Sequence, residues 1–128
     1  MSPMGLIFIA NYSKKNTIKE KTMETYNKLV RDGVPKHLES NGIKFTSHIA
    51  TDSEFKDKLQ EKVVEEAIEL KEAMTKEELA DLLEVVEVLK KHEGWSTLEI
   101  EEIRLKKLKE KGGFDRHIIL EKCEKKAQ

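Results

Sequence analysis

Apolar positions recur at helical spacing through three consecutive stretches of the chain, and each stretch is introduced by a hydroxyl residue with a glutamate three places later. Thr51 and Glu54 open the first, whose Phe55, Leu59, Val63, Ala67 and Leu70 predict a helix from about Asp52 to Ala73. Thr75 and Glu78 open the second. There Leu79, Leu82, Leu83, Val85, Val86, Val88 and Leu89 spread apolar surface around more than half the circumference as far as Gly94, the pattern of the most buried element. Ser96 and Glu99 open the third, which runs through Ile100, Ile103 and Leu108 and stops at Gly112-Gly113. Only a residue or two separates the first helix from the second, so the pair predicts an antiparallel hairpin. Upstream, Pro35 as a first-turn proline and Gly42 as a stop bracket a shorter helix. Ile43-Lys-Phe-Thr-Ser-His-Ile49 alternates and reads as a short strand or extended arm; His117-Ile-Ile-Leu-Glu-Lys-Cys123 reads as a strand able to pair with it. The fold class expected is all-α, an antiparallel helical bundle, with a short β-ribbon from segments 43–49 and 117–123.

Residues 11–22 have no amphipathic period and Met23 follows at once. Residues 1–22 therefore read as a disordered or mis-started extension, 23–123 as one working domain and 124–128 as a frayed tail. Charged residues make up 38% of the chain and aromatics 5%, which suits long amphipathic helices better than a sandwich or barrel. Lys and Arg total 24 against 25 for Asp and Glu, so the one-signed excess of a general nucleic-acid or membrane-surface binder is missing and neither is an expected partner. The longest early apolar run, Leu6 to Ala10, is too short for a membrane span or signal core, and the single Cys123 allows no internal disulfide; a cytoplasmic protein is expected. The apolar width of the second helix exceeds what its neighbours cover, which predicts a homodimer or higher homo-oligomer sharing a four-helix core.

Chemistry enters through the acidic residues of the hairpin. At about 100° per residue, Glu66 falls inside the arc defined by Phe55, Leu59, Val63 and Leu70, and Glu69 lies on its edge. Glu78 and Asp81 share a flank of the second helix with Val85. Pairing the end of one helix with the start of the next brings the four acids together. Buried like charges repel and each ionised carboxylate is costly to desolvate, so such a cluster needs protons or cations. Oxygen-only ligation favours Mg2+, or Mn2+, over zinc. The plainer alternative is a solvated acidic face in which Glu65, Glu66 and Glu69 pair with Lys58 and Lys62 and Glu78 is only half of a capping box.

The pattern Glu65-Glu66-x-x-Glu69 followed by Glu78-x-x-Asp81 resembles the signature of the MazG-like all-α nucleotide pyrophosphohydrolases, a superfamily that includes phosphoribosyl-ATP pyrophosphohydrolase and dimeric dUTPases. Tyr26-Asn-Lys-Leu-Val-Arg-Asp-Gly-Val-Pro35 resembles the opening of the phosphoribosyl-ATP pyrophosphohydrolase-like branch, and Lys111-Gly-Gly-Phe114 with Ile118-Ile-Leu-Glu121 resembles its ending. The resemblance implies that Glu66, Glu69, Glu78 and Asp81 hold Mg2+, with Glu65 as a further ligand or as the residue orienting the attacking water. It also implies a hydrolase that cuts a nucleotide between its α and β phosphates, releasing pyrophosphate and a nucleoside monophosphate. The substrate expected is a house-cleaning nucleoside triphosphate or a phosphoribosyl-ATP-like nucleotide. Gly33 stands where the branch often has lysine, and the connection between the two acidic helices is short for some superfamily members.

Cations for the remaining phosphates are available in Lys28, Arg31, Arg104, Lys107 and Lys111, with Arg31 favoured because a guanidinium grips phosphate through two N–H groups. His37, His48, His92 and His117 form no metal-ligand spacing on one helix, and Cys123 has no evident base beside it and reads as structural. The glycine-rich phosphate loop, dinucleotide turn, zinc-protease helix and serine elbow are all absent. The competing expectation is a non-catalytic helical interaction module that kept the fold.

Overall fold

A computed structural model describes residues 23–125, so what was expected of residues 1–22 and of 126–128 lies outside the described residues. Four helices follow one another: α1 (Val34–Ser40), α2 (Asp52–Ala73), α3 (Lys76–Glu93) and α4 (Thr97–Lys111). The described residues divide into two compact units, one ending at Gly94 and the other beginning at Trp95.

In the first unit, α1 carries a proline in its first turn, where a missing N–H costs no hydrogen bond. It ends in a Schellman motif: Gly42 N–H donates to the Glu39 carbonyl at 3.0 Å and Ile43 N–H to the Leu38 carbonyl at 3.0 Å, with Gly42 at φ +68°. The motif folds Ile43 back over Leu38, and with Val34 these make a small buried cluster against which Tyr26, Val30 and Phe45 pack. The segment leading to Arg31 is thereby anchored without secondary structure of its own.

Helices α2 and α3 form the expected antiparallel hairpin. The hydroxyls of Thr51 and Thr75 accept the backbone N–H of Glu54 and Glu78 at 3.2 Å each, as the sequence spacing required. Met74 and Thr75 alone join the helices, with Met74 in the left-handed region at φ 50°. At the open end Phe55 meets His92 edge-on at 5.3 Å, and His92 Nε2 lies 3.0 Å from Asp52. Phe55 precedes Glu66 by eleven positions and His92 follows Asp81 by eleven, about three helical turns in each case. One register therefore sets both the aromatic contact and the meeting of the acids. The fully buried residues of α3 are Glu78 and Asp81, whereas its leucines and valines are half-buried or exposed. Within one copy, then, α3 is not the deeply buried apolar helix that its composition predicts, because a single hairpin partner covers only one side of it.

The second unit contains α4, closed at its N-terminus by a full capping box between Ser96 and Glu99. No strand occurs among the described residues, so the expected β-ribbon is not formed. Ile43 and Phe45 do point inward as the alternation predicts, but Ile49 is 96% exposed. Residues 117–123 belong to the other unit, and Ile118, Ile119 and Leu120 are all exposed. Alternation supplies one buried face, but a strand also needs a partner backbone for its N–H and C=O groups.

No helix among the described residues is long and apolar enough to cross a membrane.

Candidate metal centre

One oxygen each from Glu66, Glu78 and Asp81 can be chosen so that all three lie within 4.8 Å of one another. These residues are 2%, 3% and 6% exposed, deeper than nearly every apolar side chain of the unit. Helix geometry explains the convergence. Glu66 sits on the α2 stripe that holds Leu59 against α3, while Glu78 and Asp81 are one turn apart on the facing side of α3.

Glu66 Oε2, Glu78 Oε2, Asp81 Oδ2 and both carboxylate oxygens of Glu69 are buried and have no hydrogen-bond partner among the described residues. Carboxylates only accept hydrogen bonds, so two facing each other are joined only when one carries a proton. Glu69, beside Glu66 and Glu78, is the group most affected. Burial first, then the contact with Glu66 and the charges of Glu66, Glu78 and Glu65, push its pKa up to about 8. Burial also raises Glu78, helped by Asp81 and Glu66. The set thus holds a proton near neutral pH, and its orphaned oxygens fit a hard divalent cation such as Mg2+ or Mn2+, which takes oxygen donors.

Three cations border the acids. Arg31 Nη2 lies 2.8 Å from Asp81 Oδ1 and Lys28 Nζ 3.1 Å from Glu65 Oε1. Lys62 Nζ lies 3.4 Å from Glu65 and 3.7 Å from Glu66. Four expected ligands, Glu66, Glu69, Glu78 and Asp81, are therefore brought into one neighbourhood. Glu65 stands apart from the triad, next to two lysines, because one residue's rotation from Glu66 turns it off the buried stripe. Sequence reasoning counted Lys62 only as a surface partner. Its three- and four-residue spacing to Glu65 and Glu66 was the available signal that it borders the site.

The other expected phosphate-binding cations lie in the second unit. Arg104 is held by Glu101 of its own helix, with Nε 3.1 and 3.2 Å from the two carboxylate oxygens, and Lys107 and Lys111 are exposed on the same helix. His48, on the surface, pairs with Glu54, whereas His92 is largely buried against Phe55 and reaches Asp52 through Nε2. Cys123 is exposed and so is not the packed structural residue its sequence context predicts. Comparison with known proteins returns no match to this chain, whether by family model, curated protein or solved structure.

Proposed function

We propose that this protein is a Mg2+-dependent nucleotide pyrophosphohydrolase, with Mn2+ able to substitute, that hydrolyses the α–β phosphoanhydride to pyrophosphate and a nucleoside monophosphate. The observation that carries the reading is the set of buried, partnerless oxygens on Glu66, Glu78 and Asp81. An interaction surface gains nothing from burying acids that repel one another. The family resemblance of the acidic motif and of the segment around Arg31 supplies the reaction class.

In this reading Glu66, Glu78 and Asp81 would hold the ion, with ionised Glu69 as a further oxygen donor beside them. Bound Mg2+ supplies positive charge against the phosphoryl oxygens and makes water more acidic. Glu65, held from two sides by Lys28 and Lys62, accepts a hydrogen bond from the attacking water and fixes its direction. The water oxygen bonds to phosphorus, the bridging P–O bond breaks with its electron pair leaving on the departing phosphate, and the released proton passes to solvent. Arg31 uses one Nη on Asp81 in the metal-free protein, and its guanidinium is the group that grips a substrate phosphate.

A panel of canonical, modified and phosphoribosylated nucleotides tests the proposal. Pyrophosphate and the monophosphate are expected in equal amounts with Mg2+ and neither product with chelator. Absence of release from the whole panel would favour the helical interaction module instead.

A homodimer belongs to the same proposal. Val64 and Ile68 on α2, and Leu79 and Leu83 on α3, repeat at four-residue spacing and are about half exposed, while Leu59 is the one apolar side chain of the hairpin that is fully buried. A second copy laid along the hairpin turns this thin core into a four-helix one. Sedimentation of the wild type is expected to give a dimer at micromolar concentration and Leu83→Glu a monomer; a monomeric wild type would remove the dimer.

A further inference from the structure

We propose that the segment carrying Lys28 and Arg31 is a tethered counter-ion, whose cations partly offset the acidic site before metal enters, and that Arg31 is handed over to substrate phosphate when a divalent cation takes its place on Asp81 while Lys28 stays on Glu65. The inference rests on the metal-site reading above and adds to it an opposition between Arg31 and the ion.

The geometry sets up that exchange. Arg31 reaches across fifty positions of sequence to Asp81 Oδ1, on a residue whose Oδ2 is one of the orphaned buried oxygens. Lys28 makes the matching contact with Glu65. Counting Lys62, three cations face the five carboxylates Glu65, Glu66, Glu69, Glu78 and Asp81. Two negative charges remain unmatched when all are ionised, so the resident cations leave the site negative enough to attract a divalent ion. Arg31 and such an ion both draw on the Asp81 carboxylate, so they compete for it and repel each other when both are present.

The fold lets the side chains change partner while the backbone stays. Tyr26 and Val30 are packed on the Val34, Leu38 and Ile43 cluster, and Val34 N–H donates to the Arg31 carbonyl at 3.0 Å. Only the tips are adjustable. Arg31 is 43% exposed along its side chain, so its guanidinium can leave Asp81 without disturbing the core. A phosphate bridging the ion and Arg31 converts their repulsion into a shared attraction.

The consequence is an effect of opposite sign on two ligands. Mn2+ binding measured without nucleotide is expected to be roughly tenfold tighter in Arg31→Gln than in the wild type, a gain that shrinks as ionic strength rises. With Mn2+ saturating, a non-hydrolysable nucleoside triphosphate analogue is expected to bind Arg31→Gln at least about tenfold more weakly. Arg31→Lys keeps the charge and is expected to bind bare Mn2+ within about threefold of the wild type. Circular dichroism checks that both variants fold. If wild type binds Mn2+ and Arg31→Gln binds it no more tightly, the counter-ion role is overturned while the metal site stands. Unchanged nucleotide affinity in Arg31→Gln overturns the hand-over. No Mn2+ binding at millimolar concentration by any of the three proteins overturns both the inference and the reading beneath it.

Discussion

Glu66→Gln is expected to abolish nucleotide hydrolysis and to weaken divalent-ion binding by at least about 100-fold, yet to leave the metal-free protein more stable than the wild type. The two effects have one cause. Glu66 is 2% exposed, has one oxygen without any partner and stands among Glu69, Glu78 and Asp81, so Lys62, 3.7 Å away, offsets its charge only in part until a divalent cation is present. Neutralising it removes repulsion from the empty site, a gain of about 1–2 kcal/mol, and removes a donor from the filled one. Asp81→Asn should lose activity equally but gain less stability, because it also gives up the contact between its buried carboxylate and the partly exposed Arg31. Pyrophosphate release, calorimetric Mn2+ titration and thermal unfolding in chelator read the three quantities. Full turnover in both variants would take these residues out of the mechanism. A drop in melting temperature for Glu66→Gln would mean that its charge is already satisfied in the metal-free protein.

The elements that position this site were legible because their signals are local. Thr51, Thr75 and Ser96 announce their helices through a single side chain and a glutamate three residues on, and each cap is formed. The inward direction of Glu66 follows from helical periodicity, and the short link at Met74-Thr75 fixes the partner helix. Pairing across the chain was not legible. The alternation of 43–49 correctly placed Ile43 and Phe45 inward but carried no information about whether a second backbone lies alongside. Burial of α3 was overestimated for a similar reason, since a wide apolar surface states a need for cover without saying that the same copy supplies it. Glu65 and Glu66 differ where their sequence does not distinguish them. A doublet of glutamates reads as two equivalent candidates, yet the rotation of one residue sends Glu66 into the triad and Glu65 to the lysines.

The pH dependence of stability should differ between wild type and Glu69→Gln in a manner fixed by where the Glu69 proton goes. In the folded, metal-free protein its pKa is pushed up to about 8, mainly by burial and by the neighbouring Glu66, from an ordinary value of 4.5. Below the ordinary value the carboxyl is protonated whether folded or unfolded, and it behaves much as glutamine does. Between 4.5 and about 8 the unfolded chain gains from ionising while the folded chain keeps its proton, so stability falls as pH rises. Above about 8 both forms are ionised and the loss levels off. The difference in melting temperature, wild type minus Glu69→Gln, should accordingly be near zero at the acid end, turn negative through neutrality and reach a plateau in mild alkali. Glu78, raised in the same direction, is present in both proteins and drops out of the comparison to first order. Saturating Mg2+ should change the wild-type curve, because an ion that needs the ionised carboxylate must displace the proton and binds more tightly as pH approaches 8. Calorimetry in buffers of different ionisation enthalpy should record that released proton near neutral pH in the wild type, with less release in Glu69→Gln. Parallel melting curves for the two proteins across this range would show that Glu69 is ionised throughout, and the crowded, proton-holding site would lose its main electrostatic argument.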